Sequence, residues 1–142
     1  MELSQLQSKI HIIRGEKIIF DFDLATLYEV ETRVLKQSVR RNEYRFPFDF
    51  MFKLTESEWK EVVTNCDNLP KSIKFSPQSP FAFTEQGVAM LSAVLRSATA
   101  INVSIEIMNV FVALRKTQFN QQGIFQRVEH IEQKQRINDQ KF

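Results

Sequence analysis

The chain has 142 residues, with 19 Lys and Arg against 17 Asp and Glu, so its formal net charge is +2 and any surface for a polyanion must be local. That length suits one domain with a real core and room for an appendage. A lone cysteine, Cys66, excludes an internal disulfide framework and a cysteine-rich zinc site. No uninterrupted apolar run approaches the ~18 residues of a membrane span and the N-terminus does not read as a signal peptide, so a soluble, cytoplasmic protein is expected.

Thirteen Phe against one Trp and two Tyr predict a Phe-rich core. In chain order, Met1 to Ser8 is polar. Lys9-Ile10-His11-Ile12-Ile13 and Lys17-Ile18-Ile19-Phe20 are β-branched runs around Arg14-Gly15-Glu16. Gly15 can supply the positive φ of a tight turn, which predicts a β-hairpin. His11 sits inside a strand with no second residue at metal-ligand spacing.

Asp21 or Asp23 can cap a short helix over Leu24-Ala25-Thr26-Leu27-Tyr28, in which Leu24, Leu27 and Tyr28 share a face. Ala25 is small enough for a second helix to cross closely. Glu29-Val30-Glu31-Thr32 is a short connection, with Thr32 as the next cap. At ~100° per residue the following stretch splits into two faces. Val34, Leu35, Ser38, Val39 and Asn42 fall on one side; Arg33, Lys36, Gln37, Arg40 and Arg41 fall on the other, with Tyr44 among them. Pro47 stops this element near Phe46. Two short helices joined by a tight turn, the second basic, form the pattern of a helix-turn-helix. The charge is partitioned to match: Glu16 to Glu31 holds five acids and one base, net −4, and Thr32 to Lys53 holds six bases and two acids, net +4. A solvated charged face is the competing explanation for the basic helix on its own.

Phe46 to Leu54 is aromatic and extended, with Phe48, Phe50 and Phe52 alternating. A strand with these rings in the core accounts for the alternation better than stacking on unpaired bases does. Thr55-Glu56-Ser57-Glu58 is a capping signature, and Trp59 with Val62-Val63 gives the next helix a buried face. From Thr64 to Pro80 the chain has no periodicity and reads as a long loop. Lys71 and Lys74 there could touch phosphates as a wing does, although an idle loop is the simpler account. Phe81-Ala82-Phe83 is a short strand, and Thr84 caps a helix from Glu85 to about Arg96. After a break at Ser97-Ala98-Thr99, a helix from about Ala100 to Lys116 is apolar nearly all round. Such a helix must be buried on all sides, within the domain or against a second copy. From Gln118 onward Ile124, Val128, Ile131, Gln135 and Asn138 keep a four-three spacing, a short coiled-coil seam that predicts self-association.

Three ordered motifs then become recognisable. They are Leu24-Ala25-x-Leu27-Tyr28; Val34-Leu35-x-x-x-Val39-x-Arg41-Asn42-x-x-Arg45-Phe46-Pro47-x-x-Phe50-Met51-Phe52-x-Leu54-Thr55; and Phe83-Thr84-Glu85-Gln86-Gly87-Val88-Ala89-Met90-Leu91-Ser92. From about Ile10 to Lys116 the chain resembles the KilA-N-related family, specifically its open-reading-frame-six N-terminal domain of phage and bacterial proteins. The resemblance implies an N-terminal DNA-binding module of a phage antirepressor-like or regulatory protein. Asn42 falls on the core side of its helix and is expected to be structural.

No catalytic set can be assembled from the two distant histidines, His11 and His130, and three glycines make no phosphate loop. The protein is therefore expected not to be an enzyme and to need no cofactor, metal or small-molecule substrate. The expected fold is α+β: a small sheet, made of the N-terminal hairpin and a central strand, with a helix-turn-helix, backed by a helical pair and an extended C-terminal helix. The domain is placed at residues 9–116 and a helical, coiled-coil tail at 117–142. The expected partner is double-stranded DNA, read by the basic helix 32–45 through Arg33, Lys36, Gln37, Arg40 and Arg41, with Arg45 and Lys36 holding phosphates. A homodimer through the C-terminal helices is expected, and no membrane contact. The alternative is a protein-interaction module that sequesters a repressor without touching DNA.

Overall fold

The computed structural model describes residues 3–66, 69, 71–74 and 78–137, with side chains described as far as Thr117. A short helix α1 (Leu3–Gln7) precedes the hairpin β1 (Ile10–Ile13) and β2 (Glu16–Phe20). Arg14 and Gly15 at its tip have φ of 57° and 76°, the pair of left-handed residues that a two-residue hairpin turn needs. Gly15 was legible as the turn residue. Arg14 takes the second left-handed position at some steric cost, and its guanidinium is tied down by both carboxylate oxygens of Glu58 at 2.8 and 2.9 Å.

Helix α2 (Asp21–Leu27) follows β2 without a loop, and the connection to α3 (Thr32–Arg41) is four residues long. Its geometry is a Schellman motif: Val30 N–H donates to Ala25 O and Glu29 N–H to Thr26 O, with Glu29 in the left-handed position at φ 62°. Two capping expectations are corrected. Asp21 is the first residue of α2 and makes no cap bond, and α3 is entered from Glu31, whose carbonyl accepts from Val34 and Leu35, so Thr32 lies inside the helix. Ala25 is buried, as a close crossing requires.

After α3 come a 3₁₀ turn (Glu43–Arg45), the short strand β3 (Met51–Lys53) and α4 (Glu56–Asn65). The long strand expected over 46–54 shrinks to three residues, because Pro47 starts a turn in which its carbonyl accepts from Phe50 and Met51. That turn turns Phe48 into solvent at 74 % exposure, so the alternating-core account fails for this ring. At α4 the capping box is present: Thr55 Oγ1 accepts from Glu58 N–H and Thr55 N–H donates to Glu58. The aperiodic stretch before Pro80 contains one helical turn, α5 (Lys71–Lys74). The Lys71 side chain and its neighbours at 67–68, 70 and 75–77 lie outside the described residues, so the wing reading rests there. Strand β4 (Phe81–Phe83), α6 (Glu85–Leu95) and α7 (Ala98–Ile137) complete the chain.

All strand pairs are antiparallel, in the order β1-β2-β4-β3. The strand expected to join the hairpin, β3, lies at an edge, and the later β4 slots between it and the hairpin. Register sorts the two sheet faces. Phe20 and Phe52 pair with Ala82, and Ile18 lies on their side; with Phe22, Leu54, Trp59 and Val62 they build one core under α4. Ile19 and Met51 pair with Phe83 on the opposite face, where Phe46 meets Phe83 edge-on at 6.0 Å. The Phe-rich core is thus two ring clusters on either side of a thin sheet, an α+β arrangement.

The chain divides into two compact units, Met1–Met108 and Asn109–Phe142. In the second, α7 is helical to Ile137; the seam Ile124, Val128 and Ile131 lies outside the described side chains. In the first, Ala100, Val103, Ser104 and Ile107 of α7 are buried, yet Ile101 and Ile105 are 46 and 54 % exposed, which corrects the expectation of burial all round. By length and composition alone the 20 residues Ala98–Thr117 would suffice to cross a membrane, contrary to the sequence expectation. Burial of that one face in the first unit is the use a core helix makes of the same composition.

Candidate nucleic-acid interface

Helix α3 owes its orientation to the face that water never sees. Leu35 and Val39, one turn apart, are buried, and Asn42 Nδ2 donates to Ser38 O to close the C-terminal turn, the structural part expected of it. Arg33, Gln37, Arg40 and Arg41 are exposed on the other side. Arg33 makes a solvent-exposed ion pair with Glu31 at 3.1 Å, worth little against a phosphate. Among the described residues the side chains of Gln37, Arg40 and Arg41 make no ion pair or hydrogen bond. Arg40 and Arg41 stand in the last turn of α3, where cations complement the helix dipole.

Lys36 shares the helical arc of these cations but points inward. Its Nζ lies 3.5 Å from Asp21 Oδ2 and 5.8 Å from the centre of the Phe81 ring. The same Asp21 oxygen accepts from Phe81 N–H at 3.1 Å. Asp21 is 2 % exposed, and burial pushes its pKa up, opposed by the Phe81 amide and the Lys36 charge. One carboxylate so ties the start of α2 to the middle of α3 and to β4. Lys36 is a brace for the basic helix more than part of its outer face, and a wheel cannot show this because it carries no tertiary partner.

A second clamp holds the segment that leaves α3. Thr84 N–H donates to Phe50 O at 3.0 Å, and the Thr84 hydroxyl reaches Asp49 O at 2.8 Å and Phe50 O at 3.2 Å. The hydroxyl in turn accepts from Gly87 N–H at 3.3 Å as the cap of α6. A Cβ on Gly87 would overlap the Phe50 carbonyl, so only glycine lets α6 come this close. Upstream of the clamp, Arg45 lies in the 3₁₀ turn, half-buried, its guanidinium over the Tyr44 ring and its Nε donating to Tyr44 Oη at 3.2 Å. Tyr44 is 79 % exposed. Sequence reasoning used Thr84 and Asp21 only as helix caps and gave Gly87 no role of its own; the proximity of Thr84 and Gly87 in one motif was the available signal.

The structure therefore gathers Arg33, Gln37, Arg40 and Arg41 on one outward surface, sets Arg45 at its C-terminal edge and withdraws Lys36. A small α+β domain with one braced, basic, outward-facing helix is the class of protein this defines. The family model of the ORF6N domain matches residues 8–94, more than half of the chain, and the protein belongs to that family. All three recognised motifs fall within the match. No curated protein and no solved structure matches the chain.

Proposed function

We propose that the protein is the double-stranded DNA-binding module of a phage-type regulatory, antirepressor-like protein, in which α2 and α3 act as a helix-turn-helix. One observation carries the proposal: the exposed side of α3 offers Arg33, Gln37, Arg40 and Arg41 while its other side is fixed by Leu35, Val39 and the Asp21–Lys36 brace. Arg and Gln have the donor geometry to read guanine and adenine edges in a major groove, and Arg45 would hold a phosphate beside them. A rigid scaffold behind such groups keeps the ordering cost of binding low. Kinship with the wider KilA-N group, a cytoplasmic location and the lack of catalytic activity belong to the same proposal.

Selection of bound oligonucleotides from a random duplex pool tests it, followed by Arg40→Glu with Arg41→Glu. We expect a recoverable motif, a log–log salt slope near −4 for about four phosphate contacts, and at least a ~100-fold loss on charge reversal. The fold should survive the change, with a stability loss of no more than ~1–2 kcal/mol from placing two anions at the C-terminal end of the α3 dipole. Parental DNA affinity in the reversed variant sinks the proposal. A second reading, a module that binds a repressor or a second copy of itself, draws on Ile101 and Ile105, which α7 leaves in water one turn apart. It takes over if the reversal is silent and DNA affinity is absent at every salt concentration.

A further inference from the structure

We propose that Phe48 is a wedge that inserts at a base step of the duplex held by α3. The inference rests on the DNA-binding function proposed above and deepens it. Phe46, Phe48 and Phe50 come from one short segment, but their fates differ. Phe46 is buried against Phe83, Phe50 is half-buried, and Phe48 is 74 % exposed.

The exposure is built in. Phe48 occupies a turn whose first carbonyl, Pro47 O, accepts from Phe50 N–H at 2.8 Å and Met51 N–H at 3.1 Å. The carbonyls of the next two residues, Asp49 and Phe50, are held by Thr84, and the close approach of Gly87 leaves the turn no room to collapse toward α6. A ring fixed in water by its own backbone is ready to contact something else.

The surroundings indicate what that is. Within eight residues before Phe48 stand Arg40, Arg41 and Arg45, and five residues after it stands Lys53, against two acids, Glu43 and Asp49. Tyr44, also exposed, already carries the Arg45 guanidinium on its ring. Exposed rings close in sequence to arginines, one of them already under the Arg45 guanidinium, match a ligand with π-faces and a phosphate backbone; an apolar protein surface would leave the cations unmatched. Proteins that kink duplex DNA place Phe or similar side chains between base steps beside cations in this way.

The probe is the duplex recovered by selection, oxidised with permanganate, which attacks thymines that have lost stacking. The parent is compared with Phe48→Ala, Phe48→Trp and the Arg40→Glu/Arg41→Glu double variant. We expect a permanganate-reactive thymine in the parent complex. Phe48→Ala should lose it and bind about tenfold more weakly at an unchanged melting temperature, within the range for losing one base-stacking ring. Phe48→Trp should keep both signals. Parental binding and oxidation in Phe48→Ala overturn the wedge, as does a parent complex with no reactive thymine. If the Arg reversal abolishes binding while Phe48→Ala does not weaken it, the wedge alone falls. If the parent binds no duplex at all, the wedge and the function of α3 fall together.

Discussion

Helix α3 and the first turns of α7 carry opposite lessons about how a sequence announces which side of a helix is inside. In α3 the two sides differ in chemistry, and Leu35 and Val39 are buried while Arg33, Gln37, Arg40 and Arg41 are exposed, as the helical angles require; Val34, expected inside, is exposed, and Lys36, expected outside, is drawn in by Asp21. In the first turns of α7 apolar residues fall almost all round the helix, and the outcome inverts intuition: Ser104 is buried and Ile101 and Ile105 are not. Ser104 is inside because its hydroxyl meets the Tyr28 hydroxyl at 2.9 Å, with Tyr28 buried from α2 and its pKa pushed up to about 12 by desolvation. A buried hydroxyl needs a partner more than a half-exposed isoleucine needs cover. Polarity contrast positions α3; one hydrogen bond across 76 residues of sequence helps position α7.

The largest expected effect tests the contrast directly. Leu35→Asp places a carboxylate where nothing pairs with it and should cost more than ~4 kcal/mol, leaving the domain largely unfolded. Ile105→Asp, the same charge on an equally apolar-looking helix position, should shift stability by ~0.5 kcal/mol or less. Urea titrations of the two variants decide the matter. Comparable losses would mean that Ile105 is covered in solution and that the two helices do not differ as described.

Next in size is the hydroxyl pair. Ser104→Ala strands the Tyr28 hydroxyl in the core and should cost ~1–3 kcal/mol. Adding Tyr28→Phe removes the stranded group, so the double variant should lose less than the sum of the two single variants, a coupling seen in a double-mutant cycle. Strict additivity would mean that the bond does not place α7.

The same distinction explains how much of the molecule was legible. The hairpin turn at Gly15, the α2–α3 pair, the cap at Thr84 and the box at Thr55 and Glu58 are local patterns, and each appears in the structure. The strand expected over 46–54 failed because its fate was settled from outside. Thr84, more than thirty residues away, holds the carbonyls of Asp49 and Phe50, and β4 takes the central place in the sheet. The membership of Lys36 in the outer surface of α3 was unreadable for the same reason, since Asp21 and Phe81 pull it in from other elements. Of the site, the outward residues other than Lys36 and the supports on α3 itself were legible; the supports supplied by other elements were not. Asp21 in the sequence looks like a helix cap, and Gly87 looks like a poor helix residue until Phe50 is seen against it.

The smallest effect concerns two carboxylates that brace α3 and the hairpin with opposite pH signatures. Asp21 has its folded pKa raised above the ordinary 3.8, chiefly by burial. The stability this group contributes is therefore fully present below the unfolded pKa and is lost as pH rises through the folded value. Glu58 is the reverse: its hydrogen bonds from Arg14 hold its pKa down at about 2 against an ordinary 4.5. Its contribution is present above pH 4.5 and is lost as pH falls toward 2. Acidification from neutral pH thus weakens the Arg14–Glu58 clamp while relieving the cost of keeping Asp21 ionised in the core. Glu58→Gln should flatten the acid loss of melting temperature. Asp21→Asn keeps a carbonyl acceptor for Phe81 N–H but no longer titrates, so it should steepen that loss. Both shifts should be small, a few degrees at most, because the Arg14–Glu58 pair is partly open to solvent and screened. Melting temperatures of the three proteins between pH 7 and about pH 2.5 provide the comparison. Superimposable profiles would show that neither carboxylate is coupled to folding, and the brace on α3 would then rest on Leu35 and Val39 alone.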